Sequence, residues 1–168
     1  MSRSTLLGFP AVVLTALLLT IGAAHAGAQD QAVLKICHLI DGAETSSQFS
    51  LRDLTDLGET GFTTSTIWTD GEVVFEGVAL ARLLEAEGIT SGTLELIAIN
   101  DYMIEIPVEE AQDSAALIAY RMDGQAMSTR DKGPLWLVYP FDADPRYQSE
   151  TYYSRSIWQI DRIKVLPE

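Results

Sequence analysis

Side chains that suit the binding of a flat heterocycle are concentrated in a few segments of the chain. Six aromatic residues lie in or beside turns that are predicted to follow strands: Trp68, Trp136, Tyr139, Tyr152, Tyr153 and Trp158. Four charged residues are close to them in sequence: Asp70, Asp131, Asp142 and Arg155. Aromatic faces stack on planar rings, and a carboxylate can accept two parallel hydrogen bonds from an amino-pyrimidine edge, as it does from a guanidinium group. The pattern indicates a site for a planar, hydrogen-bonding ring. The alternative is that the tryptophans belong to the core.

Histidine and cysteine are too scarce for most other chemistries. His25 and His38 are the two histidines and Cys37 is the single cysteine. A His-rich metal site is therefore excluded, and a Ser-His-Asp triad would have to use His38. Cys37 lies in an apolar segment typical of a strand and is predicted to be a small core residue. Metal ligation together with His38, or pairing with another molecule, remains open.

The first 26 residues have the pattern of a cleavable bacterial signal peptide. Arg3 precedes an apolar stretch over residues 6–21, and Ala24 and Ala26 supply the small residues of a cleavage site, so we expect cleavage after Ala26. No later segment approaches the roughly 18 to 20 apolar residues of a membrane span. Cys37 is too far downstream to be an acylated first residue. The sequence predicts a periplasmic protein without direct membrane insertion.

Residues 27–168 are predicted to form one domain, since their number suffices for a hydrophobic core. The sequence has 24 acidic and 11 basic residues and a formal net charge of −13. Nucleic acid is excluded as a partner because its binding requires clustered Lys and Arg. Unassisted binding to anionic lipid is disfavoured for the same reason.

Short strands and brief helices in no βαβ rhythm predict an α+β fold with mixed sheets. Ser50 and Asp53 have the spacing of a capping box at the start of a short helix, which Gly58 and Gly61 would end. A helix follows over residues 80–87, and residues 94–99 and 102–106 are predicted to pair as a hairpin. Another short helix is predicted over residues 108–114. The predicted strands are residues 33–40, 62–68, 73–78, 94–99, 102–106, 117–122, 135–140 and 156–165.

The order of motifs resembles the molybdopterin-binding domain of the sulfite oxidase family. The motifs are WTDG at 68–71, FEGVALARLL at 75–84, YRMDGQ at 120–125, KGPLWLVYP at 132–140 and SIWQI at 156–160. The resemblance runs from about residue 33 to the end of the chain. It implies the mixed-sheet sulfite oxidase fold.

The same resemblance implies which functional groups this chain lacks. Family enzymes carry a molybdenum-binding cysteine in the turn where this chain has residues 67–70, an arginine where it has Trp136, and a lysine where it has Ile157. A thiolate and two phosphate-binding cations are therefore absent together, while aromatic residues are present. The chain is similar in this respect to small periplasmic pterin-binding regulators of the superfamily.

What this second resemblance implies is a non-catalytic sensor of a reduced pterin. The bound pterin would alter contact with the periplasmic domain of an inner-membrane enzyme of the GGDEF/EAL type, which makes or degrades cyclic di-GMP. The tryptophans Trp68, Trp136 and Trp158 would stack on or wall the ring, and Asp70 would accept its amino-pyrimidine edge. Arg155 and Tyr139 would orient the carbonyl or side-chain hydroxyls.

Two other functions remain open from the sequence. One is a molybdopterin-dependent oxidoreductase, for which Cys37 would be the candidate thiolate. The other is a ligand-free scaffold that binds only protein, its pocket being filled by tryptophans.

Overall fold

The computed structural model describes residues 31–40 and 43–167, so the predicted signal peptide at residues 1–26 lies outside the described residues. The described chain forms two sheets of five strands each and four short α-helices. This confirms the predicted α+β class with mixed sheets. Within the same residues, no helix combines the length and the apolar character needed to cross a membrane.

The first sheet joins the two ends of the described chain. Its strands, in spatial order, are β2 (Ala43–Ser50), β1 (Ala32–Ile40), β10 (Ile160–Leu166), β5 (Thr93–Ala98) and β6 (Met103–Pro107). β1 and β10 run parallel with Ile36 beside Ile163, and the other neighbours are antiparallel. Alternation along β1 buries Leu34 and Ile36. Cys37 points to the opposite face and is only half-buried, so it is not the core residue that its strand predicted.

The second sheet is antiparallel throughout. It consists of β3 (Glu59–Ser65), β4 (Glu72–Ala79), β7 (Leu117–Met122), β8 (Gln125–Ala126) and β9 (Trp136–Val138). β8 and β9 both pair with β7. Close approach of β4 and β7 requires a glycine, because a Cβ on Gly77 would lie 2.1 Å from the carbonyl oxygen of Ile118.

The helices are α1 (Leu51–Asp56), α2 (Leu80–Ala86), α3 (Val108–Asp113) and α4 (Glu150–Arg155), with a 3₁₀ turn at Pro145–Tyr147. The predicted capping box begins α1. The Ser50 hydroxyl oxygen accepts the Asp53 N–H at 3.2 Å, and the Asp53 carboxylate accepts the Ser50 N–H at 2.8 Å. These bonds satisfy helix N–H groups that have no intrahelical partner.

One contiguous hydrophobic cluster contains buried residues from both sheets and from α1, α2 and α3. Its fully buried members include Phe75, Leu83, Leu96, Ile118 and Ile163. Burying a side chain of this size stabilises a fold by about 1.5–3 kcal/mol. The turns that carry the predicted site residues are therefore anchored to a shared core.

Several predicted boundaries differ from the structure, among them those of the strand predicted over residues 135–140, which spans only Trp136–Val138. Gly61 does not end α1 but lies inside β3, where a Cβ would be 2.3 Å from the carbonyl oxygen of Phe75. The strand predicted over residues 62–68 ends at Ser65, which leaves Trp68 in a turn. The last strand begins at Ile160 rather than at residue 156, because Gln159 has a φ of 57° that interrupts extended pairing.

Candidate functional site

A cavity of about 330 Å³ lies where turns from the two sheets meet. Its lining combines the turn after β3, the turn of the β5–β6 hairpin, the end of α4 and the segment before β10. The lining residues are Trp68, Ala98, Asn100, Tyr102, Tyr153, Ser154, Ser156, Ile157 and Trp158. Small-molecule pockets span about 300–1,000 Å³, so this cavity has room for a small heterocycle.

Hydroxyl groups shape the turn that carries Trp68. The Trp68 N–H donates to Oγ1 of Thr66 at 3.0 Å, and the hydroxyls of Thr66 and Thr69 lie 2.9 Å apart. Such side-chain bonds to the backbone compete with strand pairing and favour a turn. They explain why β3 stops at Ser65 although the residues that follow are β-branched and aromatic.

Asp142 fastens the start of this turn to the segment that follows β9. Its carboxylate accepts hydrogen bonds from the Ser65 N–H and, at 2.8 Å, from the Ser65 hydroxyl. These hydrogen bonds favour the charged form and lower the pKa of Asp142 below its ordinary value. The position of Trp68 thus depends on a carboxylate 77 residues away from Ser65 in sequence.

Trp68 lies at the centre of an aromatic cluster. Its ring centroid is 5.8 Å from that of Trp158, 5.9 Å from Trp136, 6.1 Å from Tyr153 and 6.3 Å from Phe141, all in edge-to-face geometry. Each such pair contributes about 0.5–1.5 kcal/mol beyond the area it buries. The three tryptophans singled out in the sequence are therefore brought together.

Two of the predicted site residues lie behind the cavity wall. Trp136 is fully buried, and its indole N–H donates to the Ser156 carbonyl oxygen at 3.1 Å. Tyr139 is also buried, with its ring 4.8 Å from that of Tyr152 and stacked at 5.6 Å on Tyr147. Burial raises the pKa of Tyr139 well above its ordinary value. Neither side chain lines the cavity.

The two charged residues predicted for the site are also absent from the lining. Asp70 is exposed in the turn after Trp68. Arg155 donates from its guanidinium to the carboxylate of Glu110 on α3, so its charge already has a partner. Of the six predicted site residues, Trp68 and Trp158 line the cavity, whereas Trp136, Tyr139, Asp70 and Arg155 do not.

Three polar residues of the lining were not predicted from the sequence. The hydroxyl of Ser154 donates to the Thr151 carbonyl oxygen at 2.9 Å, and that of Ser156 donates to the Tyr152 carbonyl oxygen at 2.9 Å. Because each hydroxyl proton is engaged, the oxygens are available as acceptors. Asn100 adds an amide from a turn that the hairpin pattern had located, whereas no local pattern marks the two serines.

Lys132 lies close to the rings of Trp136 and Trp158. Its Nζ lies 5.2 Å from the ring centroid of Trp136 and 5.6 Å from that of Trp158. Its carbonyl oxygen accepts the Gln159 N–H at 3.1 Å, which holds the adjoining segment. Cation–π contacts of this kind contribute about 0.5–1 kcal/mol at exposed sites. Lys132 thus restrains the side chain that forms one wall of the cavity.

The cavity lining offers neither a thiolate nor a cationic side chain. Cys37 lies on β1 and does not contribute to the lining. Over residues 31–40 and 43–167, no three His, Cys, Asp or Glu side chains are grouped so that they could hold a metal ion. The groups available to a ligand are an amide, hydroxyl oxygens and aromatic rings, which suit an uncharged planar molecule.

Comparison with known proteins gives one family and one fold. The model of the family described as oxidoreductase molybdopterin binding domain matches residues 39–143, more than half of the chain. The crystal structure of the sulfane dehydrogenase SoxCD from Paracoccus pantotrophus is similar, with a TM-score of 0.61 and 19% sequence identity. The match covers 83% of this chain but 39% of that one, so the chain spans well under half of its length. None of the curated proteins matches the sequence.

Proposed function

The chain belongs to the oxidoreductase molybdopterin-binding domain family and has its sulfite oxidase-type fold, and from this premise we propose that it is a non-catalytic periplasmic protein that binds a reduced pterin. In this proposal residues 1–26 are a signal peptide. The bound pterin regulates an inner-membrane enzyme that makes or degrades cyclic di-GMP, by changing contact with that enzyme's periplasmic domain.

The observation that carries the proposal is an aromatic-walled cavity whose polar groups are uncharged. Trp68, Tyr153 and Trp158 offer ring surfaces against which a planar bicyclic heterocycle can pack. The oxygens of Ser154 and Ser156 can accept hydrogen bonds from the amino-pyrimidine edge. They take the role that the sequence had given to Asp70.

Molybdopterin with its metal and phosphate does not fit this lining. The turn in which the family resemblance implies a cysteine presents Trp68, whose ring is in edge contact with four other rings and lines the cavity. The positions expected to hold phosphate-binding cations are Trp136 and Ile157, both buried. Phosphate recognition relies on Arg, Lys or clustered backbone N–H groups. The groups that line the cavity favour a metal-free, unphosphorylated pterin. The family description supports molybdopterin, which is the alternative ligand.

The deciding experiment identifies what the protein carries. The protein is purified from the periplasm of a molybdenum-replete bacterium and denatured under anaerobic conditions. The small molecules that it releases are measured by fluorescence and mass spectrometry. Molybdenum is measured in the same sample. We expect a pterin in near-stoichiometric amount and no molybdenum.

Two results would replace the proposal with a named alternative. Stoichiometric molybdenum would indicate a molybdopterin-dependent oxidoreductase. Protein that carries no pterin and also fails to bind added tetrahydropterin would be a ligand-free scaffold for protein binding.

A further inference from the structure

Large apolar side chains are exposed around the mouth of the cavity. Seven such side chains are exposed in the described part of the chain, and five of them lie on or directly beside the turns that form the cavity. These five residues, here called the rim patch, are Ile67, Ile99, Tyr102, Met103 and Trp158. Ile67 is 64% exposed. The other two, Val74 and Leu166, belong to β4 and to the end of β10.

A backbone hydrogen bond holds two parts of the rim patch beside one another. The Ile99 N–H donates to the Gln159 carbonyl oxygen at 2.9 Å, which ties the hairpin turn to the segment of Trp158. Ile67 precedes Trp68 and lines a second cavity of about 290 Å³ that shares Tyr153 with the first. The Ile99 and Trp158 parts of the patch are therefore held together before any partner arrives, which reduces the entropy lost on docking.

We infer that the rim patch is the docking surface for a protein segment that presents an apolar side chain flanked by lysine or arginine. This inference rests on the proposed function and adds the surface and the chemistry of the partner. Exposed apolar patches on soluble proteins mark interaction sites. Tyr102 and Trp158 belong both to the patch and to the cavity lining, so a molecule in the cavity contributes to the surface that the partner meets.

Charge selects the kind of partner. Asp70 and Asp101 are exposed beside the rim. Asp101 is paired with Arg162, and the Nζ of Lys132 lies 5.6 Å from the ring centroid of Trp158, so the attraction for a basic segment comes from Asp70 and from the net charge of the whole chain. A second copy of this chain, itself of net charge −13, would bring like charges together. An anionic membrane surface would be repelled in the same way. A basic-flanked segment gains attraction at the rim while its apolar side chain covers the patch.

The test uses the periplasmic domain of an inner-membrane cyclic di-GMP enzyme from the same bacterium as the probe, with and without a tetrahydropterin. The variant carries Ile67→Lys and Ile99→Lys, which remove apolar surface and repel a basic segment, and neither residue lines the main cavity. The matched control is Val74→Lys at an exposed apolar residue outside the patch. We expect the double variant to bind the domain at least 20-fold more weakly, and the control within twofold of the original chain. The tetrahydropterin affinity of both variants should stay within twofold of that of the original chain. Circular dichroism checks the variants for misfolding, and the less disruptive pair Ile67→Ser and Ile99→Ser is measured beside them.

Each other outcome overturns a distinct statement. Equal binding of the domain by the double variant, or no binding by the original chain with tetrahydropterin present, overturns the docking surface and leaves pterin binding intact. Dimers that the double variant dissociates would assign the patch to a second copy and overturn the inference. Failure of the original chain to bind tetrahydropterin overturns the proposed function, whatever the domain does.

Discussion

Replacing Trp158 by alanine should weaken pterin binding more than it weakens folding. The ring is 38% exposed, lines the cavity, and makes edge contacts with Trp68 at 5.8 Å and Trp136 at 6.3 Å. Replacing a completely buried tryptophan by alanine lowers the free energy of unfolding by about 3–5 kcal/mol. Because water can enter the space that Trp158 leaves, we expect its loss to cost about 1–2 kcal/mol of unfolding free energy.

The effect on affinity follows from the stacking that the ring provides. Stacking of one heterocyclic base on an aromatic side chain is worth about 1–3 kcal/mol. At about 1.4 kcal/mol for each factor of ten, Trp158→Ala should raise the dissociation constant of a tetrahydropterin roughly 5- to 150-fold. Trp136→Ala should weaken folding more than it weakens pterin binding, because that ring is buried behind the cavity wall. It should cost about 3–5 kcal/mol of stability.

The two variants are compared in two measurements. Urea unfolding followed by circular dichroism gives the free energies, and calorimetric titration with a tetrahydropterin under anaerobic conditions gives the affinities. Trp158→Phe is the control that keeps a ring and should recover most of the affinity. If Trp158→Ala bound the pterin as tightly as the original chain, the placement of the ligand against Trp158 would be wrong. If it proved less stable than Trp136→Ala, the inference that Trp136 contributes more to the core would be wrong.

Three further predictions concern the supports of the site. Gly77→Ala should cost about 3 kcal/mol, the upper end of the overpacking range, because the added Cβ would meet the Ile118 carbonyl oxygen at 2.1 Å; thermal unfolding measures the loss. Asp142→Asn should flatten the pH dependence of stability in acid. Hydrogen bonds from Ser65 lower the pKa of Asp142 below 3.8 in the folded chain, so its stabilisation is present above that value and is lost as the pH falls through the folded pKa. Urea midpoints over about pH 2–7 test this, and parallel profiles for both chains would contradict it. Ser50→Ala should cost about 1 kcal/mol through loss of the helix cap with tetrahydropterin affinity unchanged, because α1 contributes no residue to the cavity; urea unfolding and the same titration check both.

Features encoded within a few residues were predicted well from the sequence. The capping box of Ser50 and Asp53 and the hairpin around Asn100 depend on neighbours in the chain, and both are present. The short strand β2 was mostly missed. Its sequence is polar, and it is specified by pairing with β1 rather than by an apolar pattern of its own. Helix α4 was missed as well.

The charged residues of the site could not be placed from the sequence because their partners are distant along the chain. Arg155 was expected at a ligand, but it pairs with Glu110, 45 residues earlier. Asp142 was noticed only as a neighbour of aromatic residues, whereas it fixes the turn of Trp68 through Ser65. A carboxylate or guanidinium can reach several partners, and the choice depends on which strands lie side by side. The parallel pairing of β1 with β10, across nearly the whole described chain, is of that kind.

The residues at which the resemblance implies a departure from the family pattern depend on one another physically. Trp68 and Trp136 are in edge contact, and Ile157 lines the cavity beside Trp158 while its carbonyl oxygen accepts the Leu137 N–H. A cysteine in place of Trp68 would remove four ring contacts and leave a void. An arginine in place of Trp136 would bury a charge without a partner, and the desolvation of an unpaired ion costs several kcal/mol. Introducing either group alone would therefore destabilise the fold before it created a metal or phosphate site. The aromatic cluster and the implied loss of the cysteine and the cations thus depend on each other.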